Sequence, residues 1–229
     1  MEILASLDQR LPPADGLQRV VIVGPETGAR HVSAVLVRVP PGHEFPLHTH
    51  PVSEDCFFVL SGAGAAIEPS RRAPIAAPAG VWIPAGHPHG LAAGPTGMLE
   101  VGFQSPADPT AVPFDPHGKP PADRALITVS LSSPGSSGPG RWTPVFPARP
   151  HWRYLDPHYV AIRSGQRLVT KTGESEVVIV VVRGAVRLED GTGGRIDGGS
   201  ALCLGADEAI ELRAESPGLL VAVRARAAR

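Results

Sequence analysis

Short runs of valine, isoleucine, leucine and alanine alternate with turn residues along almost the whole chain. No long stretch shows the i, i+3, i+4 spacing of an amphipathic helix. The runs predict strands at Arg19–Val23, Val32–Val39, Asp55–Leu60, Ala63–Ile67, Val81–Ile83, Met98–Phe103 and Ala125–Leu131. The second half predicts further strands at Tyr159–Arg163, Glu176–Val182, Ala185–Leu188, Ala201–Leu204, Ala209–Leu212 and Leu219–Val223. Runs of this length between glycine and proline signals belong to an all-β sandwich or barrel. So many of them exceed the needs of one small barrel and predict two.

The middle of the chain supports that division. Gln104 to Lys119 carries Pro106, Pro109, Pro113 and Pro116, and Ser132 to Pro150 is rich in serine, glycine and proline. These are connector compositions, and Ser132–Gly140 reads equally as a disordered segment. The expected units are residues 1–115 and residues 116–229. A weak internal repeat points the same way. Gly42 and Gly165 are 123 residues apart, and Gly62 and Gly184 are 122 apart, each pair in a similar local sequence. A steady offset near half the chain length suggests a duplicated domain.

Composition narrows the function. With 229 residues the chain can bury a sizeable core, and its formal net charge of −1 gives no bulk attraction for nucleic acid or an anionic membrane. Glycine and proline number 26 each, lysine occurs only at 119 and 171, and asparagine is absent. Cys56 and Cys203 lie in apolar runs and read as small buried hydrophobes rather than a disulfide framework. The amino terminus lacks a basic region followed by a long apolar run, and no apolar stretch approaches the roughly 18 residues of a membrane span. A cytoplasmic protein is the expectation.

The candidate chemistry is concentrated between Gly42 and His89. His48 and His50 are two apart, so on an extended strand both point to one face. Glu54 and Asp55 follow, and His89 comes from another strand. Imidazoles with one carboxylate suit a first-row transition metal with positions left open for a ligand. On a regular strand only one of Glu54 and Asp55 can point inward. His87 could share the face of His89, although a place in the turn suits it better; His43 precedes the strand. Phe57, Val59, Trp82, Leu99 and Val101 are expected to fill the barrel; Arg38 and Glu100, which interrupt apolar runs, are expected to face solvent, although either could face the cavity and orient a charged substrate.

In order, these residues resemble the two motifs of the cupin superfamily. Gly42, His48, His50, an acid and Gly62 fill the first; Pro84, Gly86 and His89 fill the second. The four residues between His50 and Asp55 are similar to the germin and oxalate decarboxylase version of the first motif. Counting back six residues from Gly62 favours Asp55 as the acid, although the family usually has glutamate there. Pro78 and Ala93 depart from the family's glycine and asparagine, neither of them a ligand. The resemblance implies two jelly-roll barrels in tandem, a bicupin, with His48, His50, Asp55 and His89 binding one divalent iron, manganese, nickel or zinc. The second half has Lys171, Gly173, Val177 and Ile210 at the expected ligand positions, so its barrel is expected to be metal-free.

The resemblance also implies the candidate functions. The first is a metal-dependent enzyme, oxidoreductase or dioxygenase-like, acting on a small polar organic molecule; from its position beside Asp55, Glu54, where it is not itself a ligand, is the candidate catalytic proton shuttle. The alternatives are a ligand- or metal-sensing cupin without turnover and a metal-dependent hydrolase, decarboxylase or isomerase. The expected partner is a small-molecule substrate or ligand, with neither nucleic acid nor membrane; a homodimer by sheet packing or strand exchange is open, unless the tandem satisfies that interface within one chain.

Overall fold

A computed structural model describes residues 1–11, 15–107, 111–115, 125–131, 140–147, 153–191 and 193–226. In chain order the strands are β1 (Glu2–Leu4), β2 (Gln18–Val23), β3 (Ser33–Val39), β4 (Glu44–Thr49), β5 (Glu54–Glu68), β6 (Arg71–Ala76), β7 (Ala79–Ile83), β8 (His89–Ser105), β9 (Val112–Pro113) and β10 (Ile127–Ser130). They continue as β11 (Thr143–Pro144), β12 (Leu155–Ile162), β13 (Arg167–Lys171), β14 (Glu176–Arg183), β15 (Ala185–Leu188), β16 (Arg195–Asp197), β17 (Ser200–Leu204), β18 (Ala209–Ala214) and β19 (Gly218–Ala225). Two short 3₁₀ turns, Leu7–Arg10 and Pro25–Thr27, are the only helical elements among the described residues. Most of the expected connectors, the candidate disordered segment Ser132–Gly140 apart from Gly140, and His117 and His151 lie outside those residues.

The strands form two barrels. The first is built on the order β10-β7-β5-β8-β3-β2, with β4 on β8 and β6 on β5. The second combines β1-β17-β14-β19-β12-β11 with β13-β18-β15-β16. The strands absent from the sequence-based expectation, such as β4, β6 and β13, are polar or proline-bearing, so their apolar run is too weak to show. β5 and β8 are long because they serve both faces of the first barrel and bend between them, with register shifts at Val59/Ser61 and Gly62/Gly64. Gly62 makes that bend at φ +83°, and a Cβ there would stand 2.0 Å from the Gly97 carbonyl oxygen. Only glycine fits both conditions.

The two barrels pack sheet on sheet, and the repeat offset becomes a rough twofold relation. Alternate residues of each central strand therefore meet different cores. Val35, Val37, Phe57, Val59, Val81 and Ile83 fill the first barrel. Their neighbours Leu36, Cys56, Phe58, Trp82, Val101 and Phe103 join Val178, Val180, Val221 and Val223 in a core between the barrels. Sheets covered on both faces read as unbroken apolar runs rather than alternating ones. Trp82 and Val101 thus belong to the inter-barrel core, not to the barrel interior expected for them, and Leu99 packs against the same core.

Two devices join the halves, each present twice. The first is strand exchange: β1 from the amino terminus pairs with β17 of the second barrel, and β10 pairs with β7 of the first. These exchanged strands cross the division expected at residue 115. The second is a pair of buried glutamates. Glu54 accepts hydrogen bonds from the backbone N–H groups of Arg153, Tyr154 and Leu155 at 2.7, 3.1 and 3.2 Å. Glu176, offset from Glu54 by 122, accepts from Arg30, His31 and Val32 at 2.6, 2.8 and 3.3 Å. Each carboxylate, at the start of a central strand of one barrel, satisfies three donors of the chain leading into the other barrel, as buried backbone groups require.

Candidate metal centre

The end of the first barrel gathers three imidazoles. His48 and His50 come from β4 and the residue after it, and His89 opens β8 directly opposite His48. One ring nitrogen from each can be chosen so that all lie within 4.8 Å of one another, and all three residues are buried. Their orientation is set by the backbone. His48 Nδ1 lies 3.0 Å from the Pro46 carbonyl oxygen and His89 Nδ1 lies 2.9 Å from that of His87. A carbonyl can only accept, so both Nδ1 atoms carry the proton and both Nε2 atoms present lone pairs. Phe45 stacks on the His48 ring at 4.6 Å, which fixes its plane.

Asp55, at the second position of β5, supplies the charge. Its Oδ2 lies 3.4 Å from both His50 Nε2 and His89 Nε2. Gln104 Nε2 donates to the same oxygen at 3.2 Å, with its amide aligned by the Ser33 hydroxyl at 3.1 Å. Asp55 Oδ1 is buried with no hydrogen-bond partner among the described residues. Leaving such an oxygen unmatched is costly unless something fills its site. A divalent ion does so: with metal–ligand bonds of about 2.1 Å, neighbouring ligands stand about 3 Å apart and opposite ones about 4 Å. The two Asp55 distances fall in that range, and the three imidazole nitrogens lie within 4.8 Å of one another, so the donor set suits one divalent cation.

The electrostatics agree. Burial, aided by the adjacent His89, pushes His48 down to about 3, so its ring is neutral and able to coordinate at ordinary pH. Burial works to raise Asp55, but the His89 contact, the His50 charge and the Gln104 amide outweigh it and hold the carboxyl below its ordinary value. The His48 shift has a consequence for the metal-free protein. Its unfolded chain binds a proton at about 6.5, where the folded ring does not, so the unfolded state gains as pH falls. The stability His48 contributes is full above about 6.5 and lost progressively down to about 3. In chelator-treated protein, wild type should lose more thermal stability between about pH 7 and about pH 4 than His48→Gln does; equal losses would contradict this burial.

The other candidates are placed elsewhere. Glu54 is only 3% exposed, but its two oxygens are engaged with the backbone of residues 153–155 rather than with the histidines. His87 turns its Nε2 to Glu68 Oε1 at 2.8 Å and does not join the three-histidine group. His43 binds the Pro41 carbonyl in an exposed turn. Arg38 reaches Gln18 at 3.1 Å. Glu100 departs from the solvent-facing expectation: it is 4% exposed and lines the cavity beside His48, His50, Asp55 and His89. Its Oε2 has no hydrogen-bond partner among the described residues. Burial first, and the Asp55 charge next, push the Glu100 carboxyl well above its ordinary value. The sequence signal was there, a lone acid in an apolar run, but period two alone does not say which face is inside.

Among the described residues the second barrel holds no such set. The register pairs His48 with His89 in the first barrel and Thr170 with Ile210 in the second. Thr170 and Thr172 therefore replace His48 and His50, one residue away from the expected Lys171 and Gly173. Val177 and Ile210 stand at the Asp55 and His89 positions, as the repeat predicts.

Comparison with known proteins identifies the fold. Residues 35–101 match the family described as the Cupin domain. The chain carries a cupin domain. A search of curated proteins found no match to the sequence. Among solved structures, a mutant of Bacillus subtilis oxalate decarboxylase aligns over 99% of this chain and 78% of its own, with a TM-score of 0.73 at 11% identity. Protein Ylba from E. coli aligns over 99% and 92%, with a TM-score of 0.70 at 12% identity. The bacterial pirin YhhW from Escherichia coli, in complex with nickel(II), aligns over 99% of both chains, with a TM-score of 0.67 at 14% identity. At these identities the likeness is one of fold, and it spans both barrels. No helix among the described residues is long and apolar enough to cross a membrane.

Proposed function

We propose that the protein is a metal-dependent enzyme of the oxidoreductase or dioxygenase type, acting on a small organic acid in the first cupin barrel. The observation that carries this reading is a second carboxyl in the metal cavity: Glu100, buried, unpartnered at Oε2 and facing the same space as the ligand histidines. A structural metal needs its ligands but gains nothing from a further buried acid beside them. When bound, a divalent metal supplies Lewis acidity and, if iron or manganese, redox chemistry toward dioxygen.

The chain's own residues do the rest. His48, His50, His89 and Asp55 hold the ion. Arg19, an exposed residue, lines the same cavity, and a cation there favours an anionic substrate. Val35, Val37, Phe57 and Leu91 form apolar walls that limit water. The Glu100 acid donates a hydrogen bond, and then its proton, to a negatively charged substrate oxygen; solvent restores the proton afterwards. Structural neighbours of the same fold include an oxalate decarboxylase and a salicylate 1,2-dioxygenase, both named for small organic acids.

Glu100→Gln keeps the shape and a hydrogen-bond donor but has no acidic proton. Protein reconstituted with iron(II) or manganese(II) should consume dioxygen or release carbon dioxide with a member of a panel of small carboxylic acids. Glu100→Gln should retain the metal and lose that rate by roughly 100-fold or more. An unchanged rate in the variant would remove Glu100 from the chemistry. One observation favours a different reading: the cavity is only about 30 Å³, room for about two water molecules. A metal-replete protein that turns over none of the acids would be a sensing or storage cupin.

A further inference from the structure

The second barrel has lost the metal donors but kept a cavity at the corresponding place. A pocket of about 310 Å³ opens at its mouth, about ten times the volume beside the metal ligands. That size lies within the range of organic-ligand sites. The strand registers relate the two cavities residue by residue. Asp55 pairs with Gln104 in the first barrel, and Val177 pairs with Arg224 in the second. Val35 pairs with Gly102, and His158 with Ala222. Arg224 thus stands where Gln104 supports the carboxylate, Val177 where that carboxylate was, and Thr170 where His48 was.

The exchange reverses the chemistry. The acid that attracts a cation is gone, and Arg224 has arrived with Lys171 at the rim. The guanidinium is fixed in place: Nη1 donates to the Thr172 carbonyl at 2.5 Å and Nη2 to that of Lys171 at 2.8 Å. These contacts use two of its five N–H groups. Trp142 forms an aromatic wall, its Nε1 donating to the Thr170 hydroxyl at 3.2 Å. Asp156, the one acid among the described residues that line the pocket, lies 3.4 Å from Arg226 and 3.6 Å from the His158 ring. A fixed guanidinium, an ammonium at the rim, an indole and the apolar Val177 together suit one ligand class.

We propose that the second barrel is a metal-independent binding site for a small organic carboxylate with a flat apolar body. The carboxylate meets Arg224 and Lys171, and the body lies against Trp142. This site is separate from the metal cavity and does not depend on the reading given for it.

Titration calorimetry with benzoate, and with benzamide as its uncharged counterpart, tests the assignment. Benzoate is expected to bind one per chain, equally well in wild type and in a His48→Ala/His50→Ala variant that cannot use the metal. Lys171→Gln, an exposed change, should weaken it about tenfold. Benzamide should give no heat over the same range. No benzoate binding up to about 10 mM would overturn the proposal. So would loss of binding in the double histidine variant, equal affinity for benzamide, or an unchanged affinity in Lys171→Gln.

Discussion

Glu54→Ala is expected to destabilise the protein by roughly 3–5 kcal/mol, a large part of the stability of an ordinary domain. The carboxylate is buried and accepts three backbone N–H groups from residues 153–155. Alanine leaves those donors without an acceptor at the seam between the barrels. Charge-assisted bonds to backbone donors are the stronger kind, and the desolvated donors bear the loss. Glu176→Ala should match it, because Glu176 holds residues 30–32 in the same way. Denaturant unfolding of both variants, with Glu54→Gln between them, checks the argument. The metal content of Glu54→Gln should be that of wild type. A Glu54→Gln protein that unfolds like wild type yet loses turnover would return Glu54 to the chemistry.

The second large effect concerns the ion. The His48→Ala/His50→Ala variant should fall from about one bound metal per chain to essentially none. Two of four donors are lost, and the survivors, His89 and Asp55, cannot close a site alone. Elemental analysis of untagged protein is the measurement, and the element found also bears on the reaction. Iron or manganese supports oxygen chemistry; zinc or nickel supports Lewis-acid chemistry. Metal retained at wild-type level in the double variant would mean the ion sits elsewhere. The fold should persist, because the three histidines lie at the barrel end and the apolar residues that fill the barrel lie beyond them.

The spacing of His48, His50, Asp55 and His89 was enough to bring a metal-ligand set together on paper, because a strand's period of two converts a sequence interval into a shared face. The repeat offset was likewise enough to predict two barrels, and the replacement of the acid by Val177 and of the last histidine by Ile210 in the second barrel needed no coordinates. What the residues could not declare was which face is inside. Phe57 and Phe58 are equally apolar, yet one fills the first barrel and the other the core between barrels. Glu54 and Asp55 are equally acidic, yet one binds the backbone of the opposite half and the other faces the histidines. Long-range pairing made those choices: the register of β5 on β7 and β8, the exchange of β1 and β10, and the sheet-on-sheet contact that buries both faces at once. The same register moved the threonines into the histidine positions of the second barrel and turned Glu100 into the metal cavity. Local pattern determined strands, ligand types and duplication; only contacts between residues distant in sequence decided which side of each strand meets the metal, the other barrel or water.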